Sequence, residues 1–190
     1  MKALRPVVLV LAASLAGPAP AAFDVDDLMR GLAQRKGGRA TFVETRHLAL
    51  LDKPLVATGE LSYAAPDRLE KRTRTPRPEV MVLDRDRLTI EREQKKFTLD
   101  LGQYPEARAF VESIRSILAG DRRALEKSYL LHVSGGPDAW ELVLLPGDEK
   151  IASFVVRITV AGRGSQVRSV EYRQADGDRS VMIIEPIEAR

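Results

Sequence analysis

Residues 41–84 read TFVETRHLALLDKPLVATGELSYAAPDRLEKRTRTPRPEVMVLD, and this stretch decides the fold class. Apolar and polar residues alternate through Leu61, Tyr63 and Ala65 and again through Val80 and Val82, the period of a strand with one face buried. Asp52-Lys53-Pro54, Pro66-Asp67 and Pro76-Arg77-Pro78 interrupt the alternation at hairpin spacing. Four consecutive strands in an antiparallel meander follow from that punctuation.

Upstream, FDVDDLMRGLAQRK (residues 23–36) predicts a helix. Asp24 can cap its start, acids fill the first turn, and Gly37-Gly38 stand beyond its end. Val25, Leu28, Met29 and Leu32 fall at i, i+3, i+4 and i+7, so one apolar face must lie on the sheet. Downstream, period two continues through residues 87–93 and 96–101, with a turn at Gln94-Lys95. The period then lengthens. Pro105 to Gly120 places Phe110, Ile114, Ile117 and Leu118 on one helical face between a proline start and a glycine stop, and a helical turn over Asp121 to Lys127 follows. Strand patterns return at residues 129–133, 139–145, 153–160, 167–173 and 180–184, separated by Ser134-Gly135-Gly136-Pro137, Pro146-Gly147-Asp148, Gly162-Arg163-Gly164 and Asp176-Gly177-Asp178.

About ten strands with two or three helices must curl, split or close. A closed, filled barrel would leave two amphipathic helices nothing apolar to cover. The expected fold is therefore mainly β with α: a strongly curved antiparallel sheet, an incomplete or half β-barrel, under a helical lid.

The chain has 190 residues, enough for one domain with a real core. Lys2 and Arg5 precede an apolar run from Val7 to Ala16, and Ala19 and Ala21 supply an A-x-A site. The run is too short to span the roughly 30 Å hydrocarbon core of a bilayer. Residues 1–22 are thus expected to be a signal peptide cleaved after Ala21 or Ala22, leaving residues 23–190 as one soluble domain in the periplasm. Cysteine is absent, so neither a disulfide framework nor a lipid attachment point is expected. Without Lys2 and Arg5, 28 basic side chains face 27 acidic ones, and net charge gives no reason to expect a nucleic-acid partner.

Catalytic patterns are missing. His47 and His132 are the two histidines, too few for a metal cluster without cysteine, and no G-x-S-x-G occurs. Gly162-x-Gly164 lacks the helix and lysine of a phosphate loop and reads as a turn. Glu44, Glu60 and Glu70 read as acids on the solvent side of strands rather than as a catalytic pair. No enzyme and no cofactor are expected. Arg68, Lys71, Arg72, Arg74 and Arg77 form a basic run, read first as a solvated edge and second as a docking patch for an acidic partner or lipid head groups.

Gly59-Glu60-Leu61, Pro66 seven residues after that glycine, Leu69, Pro76 ten residues after the first proline and Asp84 eight further, with Phe42 and Glu44 ahead of them, together resemble the outer-membrane lipoprotein carrier protein family, the LolA-like proteins. Three positions depart from the family pattern. Ala65 stands where an arginine often latches the lid, Arg85 stands where a glycine usually follows the aspartate, and Lys71-Arg72-Thr73 replaces aromatic residues.

The resemblance implies a half-barrel with helices over its mouth that carries acylated lipoproteins, or another lipid cargo, from an inner-membrane transporter to an outer-membrane acceptor; a monomer would suit that shuttle. On that basis Leu61, Tyr63, Leu69, Met81, Leu83, Ile90, Phe97 and Leu99 are candidate walls of the hydrophobic ligand cavity. Leu28, Leu32, Phe110, Ile114, Ile117 and Leu118 are candidate lid residues, although the same side chains would serve equally as ordinary core. The alternative is a periplasmic domain that senses lipid or lipoprotein and regulates a membrane partner. An enzyme on the same scaffold ranks third.

Overall fold

The computed structural model describes residues 23–188, so the signal-peptide expectation for residues 1–22 lies outside the described residues. Helix α1 (Val25–Ala33) is followed by a meander of six strands: β1 (Gly37–His47), β2 (Leu55–Ala64), β3 (Arg68–Thr75), β4 (Glu79–Asp84), β5 (Arg87–Arg92) and β6 (Lys95–Asp100). A 3-10 turn (Leu101–Gln103), α2 (Pro105–Ala119) and α3 (Arg122–Glu126) lead to a second run, β7 (Tyr129–Gly136), β8 (Ala139–Pro146), the short α4 (Glu149–Ala152), β9 (Val155–Arg163), β10 (Gln166–Gln174) and β11 (Arg179–Ile187). The first strand pairs with the last, from Arg39 opposite Ile187 to His47 opposite Arg179. All eleven strands join one antiparallel sheet in the order β6-β5-β4-β3-β2-β1-β11-β10-β9-β8-β7. The sheet is not closed: β6 and β7 are its two edges, and α2 and α3 lie in the connection between them.

Local chemistry explains where the elements begin and end. The Asp24 carboxylate accepts the Asp27 N–H at 2.9 Å and the Asp27 carboxylate accepts the Asp24 N–H at 3.2 Å, a reciprocal capping box. Helix α1 stops at Ala33, three residues before the expected end, because Gly37 and Gly38 already belong to β1, paired with Ala64 and Tyr63. Helix α2 ends on Gly120, whose φ of 67° is left-handed, with the Asp121 N–H bonded back to the Ser116 carbonyl at 2.8 Å. A Cβ there would also lie 2.2 Å from the Met29 carbonyl oxygen, so this glycine lets α2 approach the α1 backbone.

The turn between β5 and β6 falls at Glu93-Gln94, one residue earlier than its polar residues suggest, with both residues at positive φ (51° and 64°). That is the backbone of a two-residue primed hairpin built without the usual asparagine or glycine, hence its weak sequence signal. Helix α4 is likewise unforeseen, since one turn of helix carries no readable period. Asp148, read as part of a loop, caps it by accepting the Ile151 N–H at 2.9 Å.

The core is lopsided. Its fully buried members, including Leu142, Leu144, Ile158 and Val160, come from β8 and β9, with Leu28, Met29 and Leu32 of α1, Ile117 of α2 and Leu125 of α3 packed onto them. Trp140 closes one end, donating its indole N–H to the Gly164 carbonyl at 2.9 Å. Among the described residues no comparable block fills the half of the sheet built from β2 to β5.

Two features bind β1 to its neighbours in that emptier half. Phe42 is buried and lies opposite Gly59, where a side chain would have its Cβ 2.0 Å from the Arg72 carbonyl oxygen and 2.8 Å from the Phe42 ring. The β2–β3 register slips at this point, Thr58 facing Thr75 but Gly59 facing Thr73, so the third strand bends in over the glycine. Beside Phe42, Glu44 is buried and fully engaged. Arg46 donates to it from Nε at 2.9 Å and Nη2 at 3.1 Å, Ser180 of β11 donates its hydroxyl at 2.9 Å, and Lys71 of β3 forms an ion pair with it. Sequence reading places Glu44 on the solvent side; the β1 alternation instead points it inward with Ala40, Phe42 and Arg46.

Replacing Gly59 by alanine is expected to lower stability by about 2–3 kcal/mol, because the backbone carbonyl of Arg72 cannot yield as a flexible side chain would. A urea midpoint unchanged from the parent protein would refute the close-approach argument. Burial opposes ionisation of Glu44, but the Arg46 hydrogen bonds and the Lys71 and Arg46 charges outweigh it, bringing its carboxyl from the ordinary 4.5 to about 2. A depressed folded-state pKa stabilises fully above the unfolded value and is lost as pH falls through the folded one. Unfolding free energy should therefore fall by up to ~3 kcal/mol between pH 5 and pH 2 on this account. Glu44→Gln should be less stable at pH 7 and decline less steeply in urea titrations across that range; parallel pH profiles for the two proteins would rule Glu44 out as the cause.

Candidate functional site

One face of the sheet converges on a cavity of about 610 Å³, roofed by α2. Register explains the lining. Ala40, Glu44 and Arg46 of β1 stand opposite Pro186, Met182 and Ser180 of β11, and all six line the space. On the other side Leu61 and Tyr63 of β2 face Lys71 and Leu69 of β3, which in turn face Met81 and Leu83 of β4. Side chains from this many adjacent strands meet around one space because this is the concave face.

Of the residues expected in the wall, Leu61, Tyr63, Leu69, Met81 and Leu83 line the cavity. Ile90, Phe97 and Leu99 do not. They share the concave face by register, Met81 opposite Ile90 and Ile90 opposite Phe97, but sit toward the β6 edge, and Phe97 is 54% exposed. The cavity stops at Leu88, one strand short of that edge.

On the helical side, Leu32, Phe110, Ile114, Ile117 and Leu118 line the space. Leu28 does not; one turn earlier on α1, it is buried in the solid core over β7–β9. Ile117 serves both, a cavity-lining residue that is also a buried core member.

Residues that sequence reasoning missed come mainly from the C-terminal strands: Val160, Val167, Val170, Tyr172, Met182 and Ile184. Their alternation is visible in the sequence. What is not visible is the β1–β11 pairing that carries the concave face across the join.

The basic run divides between two faces. Lys71 turns into the cavity, only 18% exposed, and its ammonium lies 5.0 Å from the centroid of the Phe42 ring. Arg68, Arg72 and Arg74 point outward and meet acids: Arg68 lies 3.6 Å from Asp84, Arg72 pairs with Glu70 at 2.7 Å, and Arg74 pairs with Glu60. Arg77 is exposed between β3 and β4. The basic run is therefore broken up: strand alternation turns Lys71 inward, and Asp84, Glu70 and Glu60 pair with Arg68, Arg72 and Arg74.

Helix α2 is fixed at several points. Phe110 packs on Tyr172 of β10 with ring centroids 4.6 Å apart, and the Tyr129 hydroxyl donates to the Ala109 carbonyl at 3.4 Å. Arg115 donates to the Arg85 carbonyl at 3.1 Å and lies 3.7 Å from Asp86, so the helix is tied to the β4–β5 turn. Arg85 has φ 55°, the left-handed conformation that explains why glycine suits this position.

The polar chemistry within reach is limited. Burial, with the Asp176 charge behind it, raises the Tyr172 hydroxyl, and burial with the Asp67 charge does the same to Tyr63, so both phenols stay protonated. Glu44 is held ionised and has no free role as a proton donor near neutrality. Among the described residues no group of three or more His, Asp or Glu side chains is placed to hold a metal ion, and no helix is long and apolar enough to cross a membrane. The arrangement is suited to enclosing an apolar group beside a small charged cluster.

No curated protein sequence matches the chain. Solved structures share its fold. A LolA superfamily protein from Nitrosomonas europaea is 9% identical with a TM-score of 0.47, the match covering 89% of this chain and 96% of that one. A DUF1329 family protein from Desulfovibrio piger is 11% identical at TM-score 0.47, covering 85% and 90%. A chain of the Pseudomonas aeruginosa MucA/MucB complex is 16% identical at TM-score 0.50, covering 88% of this chain and 59% of that chain. The family described as outer membrane lipoprotein carrier protein LolA-like matches residues 16–185, nearly the whole length, and the chain belongs to that family.

Proposed function

We propose that this protein is a periplasmic carrier that shields the acyl chains of a lipoprotein or related lipid during transfer toward the outer membrane. Residues 23–190 act in this reading as one lipid-binding domain, released from a signal peptide at residues 1–22, and exchange cargo with an inner-membrane transporter and an outer-membrane acceptor. The observation that carries it is the apolar cavity of about 610 Å³ between the concave sheet and α2, within the usual size range of ligand sites. Burying a dozen methylenes there contributes roughly 10 kcal/mol before the costs of association, enough to hold an acyl chain with no covalent step.

The partly exposed state of the wall supports the same reading. Leu61, Leu69 and Met81 are half-buried, whereas Leu142, Leu144 and Ile158 of the core are fully buried. A wall that keeps apolar surface available has affinity to offer.

Intact mass spectrometry and lipid extraction on protein purified from its native envelope should find an acyl-bearing cargo near one to one. Ala40 lies on the cavity floor, so Ala40→Phe should reduce binding of a fluorescent C16 fatty acid about tenfold or more while leaving the circular dichroism spectrum and melting temperature unchanged or raised. Protein that is reproducibly empty, with Ala40→Phe binding the probe as well as the parent does, would end the carrier reading and favour a regulatory domain.

A further inference from the structure

An acyl chain needs only apolar walls, yet of the eight charged residues that line this cavity three are joined in one cluster on its floor. Glu44, Arg46 and Lys71 all line the space, and each ion so placed gives up part of its hydration. Their signs do not cancel: one carboxylate faces two cations. The other acids at hand have partners of their own: Glu79 accepts from Arg92 Nε at 2.8 Å, Glu70 from Arg72 at 2.7 Å, and Asp178 from the Ala49 N–H at 2.8 Å.

Donor capacity is left over in the same direction. Glu44 already accepts from Arg46, Ser180 and Lys71, so its oxygens are occupied. Lys71 has three N–H donors and gives one to Glu44; its remaining close neighbour is the Phe42 ring face, which neutralises no charge. Arg46 has five donors and gives two of them, both to the same carboxylate. Glu44 thus fixes the two cations in place and leaves each with unused donors beside an apolar trough.

Resting on the lipid-carrier reading, we infer that the cavity selects amphiphiles with an anionic head group, its phosphate or carboxylate oxygens meeting Lys71 and Arg46 while the tail runs along Leu61, Leu69, Met81 and Leu83 beneath α2. An incoming anion would complete the cluster to neutrality and meet charge-assisted donors, Lys71 sheltered in the cavity and Arg46 at its half-exposed rim. A neutral acylglycerol would find the same walls but leave those donors unmet.

The test compares hexadecyl phosphate and palmitate with 1-monopalmitoylglycerol, one chain length with and without charge, by titration calorimetry on the delipidated full chain; inorganic phosphate serves as the chainless control. The parent protein should bind both anionic ligands about tenfold or more tighter than the neutral one. Lys71→Met should abolish that preference, read as the ratio of anionic to neutral affinity within the variant, and Lys71→Arg should keep it. Equal affinity for charged and neutral ligands in the parent protein would overturn the head-group inference and leave the carrier reading standing. Failure of every acyl ligand to bind would remove both, and inorganic phosphate binding as tightly as hexadecyl phosphate would show a site for the free anion instead. The comparison among ligands on the parent protein decides the matter even if Lys71→Met does not fold.

Discussion

The sheet ends on two strands, β6 and β7, that are consecutive in sequence and yet lie at opposite edges of an eleven-stranded array. The chain between them must travel from one edge to the other. It does so as α2 and α3, and because an amphipathic helix must bury its apolar side, the connection runs over the concave face. The crossover that links the two halves of the protein is therefore also the roof of the cavity. No separate element has to be added to make a lid, and whatever positions α2 sets the volume beneath it. Gly120 at its C-terminal end, the tilted Phe110–Tyr172 ring contact and the Arg115 bond to the β4–β5 turn are three such controls.

Stability and binding capacity are divided between the two halves of one sheet. Over β7–β9, helices α1, α2 and α3 meet Leu142, Leu144, Ile158 and Val160 in dry packing. Over β2–β5 most of the wall remains half-buried, with Leu83 the buried exception. A sealed empty void of about 610 Å³ would cost on the order of 15 kcal/mol at the rate measured for core cavities, comparable with the whole stability of a typical domain. The space is thus better understood as a trough that communicates with its surroundings. Its floor is held by register, by the close approach at Gly59 and by the Glu44 node that ties β1, β3 and β11 together.

Much of the architecture was legible in the sequence because its punctuation is strong. Pro54, Pro66 and Pro76 lie between strands as their positions suggest, and the 3.6-residue period at Phe110, Ile114 and Ile117 identified both the helix and the face it presents to the cavity. Five of the eight wall candidates came from β2, β3 and β4, where one hairpin after another makes the facing residues readable by counting. Ile90, Phe97 and Leu99 were misplaced for a geometric reason: they occupy the correct face, but no local pattern reveals how far the roof extends. Val170, Tyr172, Met182 and Ile184 were missed because they enter through the pairing of the first strand with the last, a contact between residues more than a hundred positions apart. Glu44 shows a further limit. An isolated acid in a strand reads as solvent-facing, and its burial becomes affordable only when Arg46, Lys71 and Ser180 converge from three strands.

Ala65 stands where the family resemblance implies a latching arginine, and in this structure α2 is tied down by other residues. Arg115 reaches from the helix to the Arg85 carbonyl and Asp86, at a turn whose left-handed backbone a non-glycine residue adopts at some cost in strain. The tether works from the helix toward the sheet rather than from the sheet toward the helix. Arg115 is mostly buried, but its partner Asp86 is exposed, so the contact is weak enough to break and reform. On the proposed carrier reading, what is bound must also be released, and burial of a long acyl chain would give more affinity than handover requires. The roof is secured by the Arg115 contacts with the β4–β5 turn and by the Phe110–Tyr172 contact, and Ile117 of the same helix is built into the core over β7–β9. On that same reading, release has to work against contacts that α2 shares with the core.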